Sequence, residues 1–155
     1  MPLRFFNTLS RQLEPFRPLD PAGRSVGMYC CGPTVYDFGH IGNFRTFVFA
    51  DLTRRFLEFS GFEVRHVMNI TDVEDKIISR VAAKRIPLPE YTRPYEEAFL
   101  EDLKCLGCLP PHHLPRATEH VPEILRLIER LLDRGVAYRT EDGSVYFSIE
   151  QYRKQ

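Results

Sequence analysis

Apolar and polar positions recur along the chain with two periods, and together they predict a strand–helix–strand unit in its first half. Residues 26–30 form a short apolar run, typical of a buried strand. Over residues 41–60 the apolar positions are three or four apart, which predicts a long helix. Gly61 ends this helix as a left-handed residue would, and residues 62–69 predict the second strand. Such a unit has parallel strands and a right-handed crossover.

The long predicted helix has an apolar side and a charged side. Asp51 with Arg55, and Arg54 with Glu58, are opposite-charge pairs four residues apart, and we expect them on the solvent side. The stripe that we expect to face the core consists of Phe44, Phe47, Val48, Leu52, Phe56 and Phe59.

The rest of the chain predicts three more helices and a hairpin. Thr71 and Glu74 have capping-box spacing, so we expect Thr71 to begin the second helix. Thr118 is suited to cap the fourth helix, and an Asp-Gly pair between two β-prone runs indicates the hairpin. The other predicted elements are a strand at 4–7 in an N-terminal arm, a third helix at 94–106, a fourth helix at 120–134, and hairpin strands at 136–140 and 144–149.

The composition is that of a globular protein, with 43% hydrophobic and 27% charged residues among 155. These fractions exclude a largely disordered chain. Lys plus Arg and Asp plus Glu both number 21, so net charge gives no indication for or against nucleic-acid binding. No apolar run reaches the roughly 20 residues that span a bilayer, and no signal peptide is evident. We therefore expect a cytoplasmic protein that does not contact membranes.

Four cysteines suggest thiols or metal ligands rather than disulfides in a chain without a secretion signal. Cys105 and Cys108, followed by a pair of histidines, have the spacing of zinc ligands. Because Cys105 falls in the apolar end of a predicted helix, we expect packing rather than a metal there. The other two cysteines, Cys30 and Cys31, end the first core strand and face opposite sides of it.

Residues 40–43, His-Ile-Gly-Asn, are placed where a strand and a tight turn lead into the long helix. Free N–H groups and the positive dipole end at a helix N-terminus favour an anion such as phosphate. His40 could donate a hydrogen bond to phosphate, and Gly42 leaves room for a base or ribose. The alternative is a surface histidine near a helix start. The usual dinucleotide and P-loop signatures are absent from the sequence.

Two longer strings decide between these readings. The string from Tyr29, Tyr-Cys-Cys-Gly-Pro-Thr-Val-Tyr-Asp-Phe-Gly-His-Ile-Gly-Asn, is followed from Asn69 by Asn-Ile-Thr-Asp-Val-Glu-Asp-Lys-Ile. Together they resemble the cysteinyl-tRNA synthetases, class I enzymes with an ATP-binding His-Ile-Gly-His signature. The resemblance implies an α/β fold: the first half of a Rossmann-type catalytic domain, with a parallel sheet and flanking helices, over residues 1–118. Residues 119–155 would begin an inserted connective region with a β-hairpin.

The resemblance also implies roles for individual residues. Cys31 matches a zinc ligand, and a zinc ion that binds the thiolate of substrate cysteine would reject serine. Gly32 and Thr71 would contact the substrate, while Thr71 could still cap its helix. His40 and Asn43 would be catalytic. Asn43 stands where the family usually has histidine, and asparagine cannot carry a proton charge. The ATP-binding residues implied are His40, Ile41, Gly42 and Asn43.

The same resemblance implies ATP with Mg²⁺, Zn²⁺, L-cysteine and tRNA(Cys) as ligands of a monomeric enzyme. Cysteine would be activated as an adenylate and then passed to its tRNA. Because the predicted sheet is incomplete, we expect the chain to be the N-terminal part of a longer protein. It would hold one zinc ligand and half of an ATP site, and by itself would catalyse little or no aminoacylation.

Two other functions remain open from the sequence. One is a cysteine ligase of the same superfamily that acts on a small amine, as mycothiol-type ligases do. The other is a non-catalytic, truncated paralogue that binds a nucleotide or a protein partner.

Overall fold

The structure is a computed structural model that describes residues 3–155. The chain divides into two compact units, one ending at Pro115 and the other covering Arg116–Gln155. The domain boundary expected at residue 118 stays a prediction about the longer protein. None of the helices within residues 3–155 has the length and apolar character needed to cross a membrane.

The first unit is built on the predicted strand–helix–strand unit. Its two core strands are parallel, with Ser25 opposite Glu63 and Cys30 opposite Met68. This confirms the predicted strands, their direction and the helix that connects them. A hairpin precedes them, so the predicted strand in the N-terminal arm is also confirmed, although its partner was not predicted. The elements are β1 (Arg4–Asn7), β2 (Gln12–Pro15), β3 (Ser25–Cys30), α1 (Ile41–Phe59) and β4 (Glu63–Met68).

The inward face predicted for α1 is partly wrong. Phe44 and Phe47 are buried as expected. Arg54, expected in solvent, is buried, and its guanidinium donates to Glu58 Oε1 and to the Pro110 carbonyl oxygen, each at 2.8 Å. The helix is apolar on two sides, so periodicity alone could not identify the packed one. The exposed apolar residues of the helix are Ile41, Val48, Phe49, Leu52, Phe56 and Phe59.

The start of the second helix differs from the prediction. Helix α2 covers Asp75–Lys84, and its N-cap residue, Glu74, makes no side-chain capping bond. Thr71 instead lies in a parallel bridge with Thr34, where the Thr71 N–H donates to the Pro33 carbonyl oxygen at 2.9 Å. The predicted capping box is therefore wrong, because backbone pairing holds Thr71 in an extended conformation.

Helix α3 covers Leu88–Cys105 and begins earlier than predicted. We placed its start at Pro94, but that proline lies inside the helix. Its ring removes one backbone donor, a cost that the packing of a long amphipathic helix can offset. Phe99 and Leu103 of this helix are buried against α1 residues as expected. The main core cluster consists of Val35, Phe44, Phe47, Met68, Ile70, Phe99 and Leu103.

The loop after α3 extends along β4 as if it were a third strand. The Met68 N–H donates to the His113 carbonyl oxygen at 3.0 Å, and the Ile70 N–H donates to that of Pro115 at 2.8 Å. A buried β-strand needs partners for its backbone groups, and this irregular segment supplies them.

The second unit has a helix and the predicted hairpin. A 3₁₀ turn at Ala117–His120 precedes the helix, so Thr118 lies within the turn and the predicted N-cap role is wrong. Arg116 and Glu119 form the capping interactions instead. The elements are α4 (Val121–Asp133), β5 (Ala137–Arg139), β6 (Val145–Phe147) and α5 (Ile149–Tyr152), with β5 and β6 antiparallel.

Candidate active site

A cleft of about 580 Å³ opens at the carboxyl end of β3, between the loop that follows it and the start of α1. Its lining includes Cys31 and Gly32 from the start of that loop, and His40, Gly42 and Asn43 from around the start of α1. Phe44 and Phe99, which belong to the main core, also line the cleft. Ligands of open α/β sheets bind in this position, beyond the carboxyl ends of the strands.

His40 caps helix α1 with its own side chain. Its Nδ1 accepts a hydrogen bond from the Gly42 N–H at 3.1 Å. A nitrogen that accepts this bond has no hydrogen, so the neutral ring carries its hydrogen on Nε2. His40 is exposed and lines the cleft, so this Nε2–H can donate to a ligand there.

Asn43 completes a reciprocal cap with His40. The His40 backbone N–H donates to Asn43 Oδ1 at 3.0 Å, while Nδ2 of the amide remains available to a ligand in the cleft. A Cβ atom on Gly42 would lie 3.0 Å from two atoms of the His40 ring. Glycine at this position therefore makes room for the capping imidazole.

Cys31 and Gly32 begin the loop after β3. The Cys31 thiol is exposed at the cleft, whereas burial raises the pKa of the Cys30 thiol, with a smaller contribution from neighbouring Cys31. Gly32 lies against the next strand's end, where a Cβ atom would be 1.6 Å from the Asn69 carbonyl oxygen. No side chain fits in that gap.

Thr71 lies at the end of the segment that follows β4. Its Oγ1 accepts a hydrogen bond from Asn69 Nδ2 at 3.0 Å. Asn69 Oδ1 in turn accepts from the Gly32 N–H at 3.1 Å and from the Tyr29 hydroxyl at 2.9 Å. Asn69 therefore links the two residues predicted to bind substrate, a role that sequence reasoning missed although Asn69 begins one of the strings that carry the resemblance.

The loop between Cys31 and His40 is anchored to α2 and α3. The Tyr36 carbonyl oxygen accepts from the Arg80 guanidinium and from the Tyr91 hydroxyl, both at 2.8 Å. Lys76 and Arg80 each lie 5.1 Å from the centre of the Tyr36 ring, a distance typical of cation–π contacts. These contacts fix one wall of the cleft.

Comparison with known proteins identifies the family of this chain. The model of the tRNA synthetases class I (C) catalytic domain matches residues 17–155. The chain belongs to this family. It is 53% identical to the cysteine–tRNA ligase of Koribacter versatilis (strain Ellin345) over 152 residues, which cover 98% of this chain and 30% of that protein. The corresponding figures for the ligase of Protochlamydia amoebophila (strain UWE25) are 48%, 98% and 31%.

Membership of the class I family is consistent with the observed fold. The mixed α/β unit with its parallel strands and flanking helices corresponds to the N-terminal portion of a Rossmann-type catalytic domain. The chain spans about a third of the length of these relatives. The cysteine–tRNA ligase of Solibacter usitatus (strain Ellin6076) is also 53% identical, and the match covers 32% of that protein.

The predicted site residues fall into two groups in this synthetase domain. Those that line the cleft are Cys31, Gly32, His40, Gly42 and Asn43. Ile41, predicted to bind ATP, has a side chain that is 80% exposed, and neither it nor Thr71 is among the lining residues. Their individual roles stay predictions.

The residues described here do not by themselves fit a zinc ion. A catalytic zinc needs about three protein ligands. Within residues 3–155, no three His, Cys, Asp or Glu side chains are grouped so that they could hold a metal. Cys31 can supply one thiolate at most. In the second Cys pair, Cys105 is exposed and Cys108 packs against the main core.

The four thiols should differ in their rates of alkylation. Iodoacetamide reacts with thiolates, and burial raises the pKa of both Cys30 and Cys108. We expect the exposed Cys31 and Cys105 to be modified first, as measured by mass spectrometry of peptides at neutral pH. Modification of Cys30 before Cys31 would contradict the placement of the Cys31 thiol at the open cleft.

Proposed function

We propose that this chain supplies the N-terminal part of the catalytic domain of an enzyme that joins L-cysteine to tRNA(Cys). The reaction uses ATP and passes through cysteinyl-adenylate. The observation that carries the proposal is the single cleft that holds Cys31 and Gly32 together with His40 and Asn43. The names of the relatives favour tRNA over a small amine as the acceptor. Action in the cytoplasm, as a monomer, remains a prediction from the sequence.

The His40 end of the cleft is suited to phosphate. The reciprocal cap between His40 and Asn43 holds an Nε2–H donor next to the N-terminus of a 19-residue helix, whose dipole favours negative charge. The cap orients the His40 Nε2–H and the Nδ2 amide of Asn43 before ATP arrives. Stabilisation of the α-phosphate as cysteine attacks it would therefore rest on positioned donors rather than on proton transfer. We propose that Mg²⁺ accompanies the phosphates.

The Cys31 end is suited to the amino acid. Cys31 would contribute one thiolate to a zinc ion, with the other ligands supplied from beyond these 155 residues. Zinc would select cysteine because a thiolate is a far better ligand than the protonated hydroxyl of serine. In this chain, Gly32 lines the cleft directly after Cys31, and Asn69 links Gly32 to Thr71.

A chimera tests the proposal. The matched segment of 152 residues would replace its counterpart in the Koribacter versatilis ligase, and cysteinylation of tRNA(Cys) would be measured. We expect an active chimera. Replacing His40 by alanine should lower kcat/KM by at least about 100-fold, because loss of a charge-assisted hydrogen bond in the transition state costs roughly 3 kcal/mol.

The control is His120→Ala, an exposed histidine in the second unit, which we expect to leave activity within twofold. A folded chimera that charges no tRNA, beside an active parent ligase, would overturn the proposal. The unmodified 155-residue chain should show no cysteine-dependent exchange between ATP and pyrophosphate, since it holds one predicted zinc ligand.

A further inference from the structure

The Asn69 side chain joins Gly32, which lines the cleft directly after Cys31, to Thr71. Asn69 follows β4, and its amide makes three hydrogen bonds of 2.9–3.1 Å. Two are accepted by Oδ1, from the Tyr29 hydroxyl and the Gly32 N–H, and the third is donated by Nδ2 to Thr71 Oγ1. An asparagine side chain can make about four such bonds, so this one is nearly saturated.

We propose that Asn69 is a positioning residue for the cysteine-binding end of the cleft. This inference rests on the proposed function. Asn69 fixes the distance between the loop that starts at Cys31 and the backbone that carries Thr71. Backbone pairing supports the same junction, since the Val35 N–H donates to the Thr71 carbonyl oxygen at 3.1 Å. The side-chain amide is what joins the junction to Gly32, directly after Cys31.

The hydrogen bonds also determine what each neighbour can offer a substrate. The Gly32 N–H is engaged with Asn69, so it cannot bind a carboxylate. The Thr71 hydroxyl oxygen already accepts a hydrogen bond from Asn69. One lone pair and its own hydrogen remain, and the hydrogen suits an acceptor atom on the substrate.

Two replacements of Asn69 separate these roles. Leucine has a similar shape and no polar atoms, so Asn69→Leu removes all three bonds. Aspartate keeps the acceptor oxygens for Gly32 and Tyr29, but the Thr71 hydroxyl must then donate to it and cannot donate to a substrate. Tyr29→Phe is the matched control: it removes one Asn69 bond from a side chain that is 64% exposed and lies outside the cleft lining.

The first measurement uses the 155-residue chain. Amide hydrogen exchange by NMR should show that Asn69→Leu speeds exchange at Gly32 by about fivefold, as expected for loss of one hydrogen bond. Exchange at Val26, inside β3, should not change. Asn69→Asp and Tyr29→Phe should leave Gly32 protected. Unchanged Gly32 exchange in Asn69→Leu would overturn the proposal.

The second measurement uses the chimera. We expect Asn69→Leu and Asn69→Asp to raise the KM for cysteine by at least about tenfold, as loss of a group that orients binding residues does, with the KM for ATP within twofold. Tyr29→Phe should change neither. A purely structural role would shift both KM values together, and that result would also overturn the proposal. An inactive chimera with the expected Gly32 exchange would refute the proposed function and leave the positioning by Asn69 supported.

Discussion

Gly32→Ala should destabilise the first unit by at least about 3 kcal/mol, at the upper end of the cost of forcing atoms into packed structure. The reason is steric. An added Cβ atom would lie 1.6 Å from the Asn69 carbonyl oxygen and 2.9 Å from its carbon. Both are backbone atoms, and they cannot move without breaking the pairing around Thr71. Urea unfolding followed by far-UV circular dichroism measures the effect.

Gly27→Ala is the matched control for this prediction. Gly27 lies in β3, the strand that precedes the Gly32 loop, and a Cβ atom there would have no neighbour within 4 Å. Alanine also loses less conformational entropy on folding than glycine, so we expect the free energy of unfolding to stay the same or to rise slightly. Equal destabilisation by the two variants would contradict the close approach of Gly32 to Asn69.

The first unit should lose stability as the pH falls below about 6.5, through His66 on β4. His66 is 2% exposed, and within residues 3–155 neither ring nitrogen has a hydrogen-bond partner. Burial lowers the pKa of His66, and the positive charge of Arg54 and neighbouring His112 lower it further, against the opposite effect of Asp51 and Glu58. The folded state therefore resists protonation of this ring.

The sign follows from proton linkage. Below the ordinary histidine pKa of 6.5, the unfolded chain binds a proton that the folded state does not. The free energy of unfolding therefore decreases as the pH decreases. One proton corresponds to a slope of at most about 1.4 kcal/mol per pH unit. The fall ends once the pH passes below the lowered pKa. Urea unfolding between pH 7.5 and 5 measures this slope.

His66→Leu should flatten the pH profile because it removes the buried titrating group. The control is His113→Gln, which removes an exposed histidine from the neighbouring loop while keeping the backbone carbonyl that Met68 uses. We expect the control to keep the slope of the unmodified chain. A slope that survives in His66→Leu would assign the acid sensitivity to other groups.

The sequence predicted the central unit well because each signal in it was local. The apolar runs of β3 and β4, the period of α1 and the left-handed Gly61, with φ of 91°, all depend on neighbouring residues. The two strings that carry the family resemblance include His40 and Cys31, which line one cleft, while their roles stay predictions. Secondary structure was less predictable where contacts between distant positions overrode a local signal, as at Thr71.

Thr71 illustrates what local signals could not decide. Its spacing from Glu74 is that of a capping box, but two backbone hydrogen bonds to residues 33 and 35 hold it extended. Those bonds join positions far apart in sequence. The packed side of α1 is similar, because the helix offers apolar residues on two sides and only the placement of β4 and α3 selects Phe44 and Phe47.

The sequence alone therefore determined the central strand–helix–strand unit of this protein and the direction of its core strands, since these follow from local patterns. The tertiary structure decided how the two ends of the cleft are held. The Gly32 N–H and the Thr71 hydroxyl both form hydrogen bonds with the side chain of Asn69. His40 and Asn43 cap helix α1 reciprocally, which defines the tautomer of the neutral imidazole. Such contacts depend on distances between segments that fold together, which no pattern along the chain records.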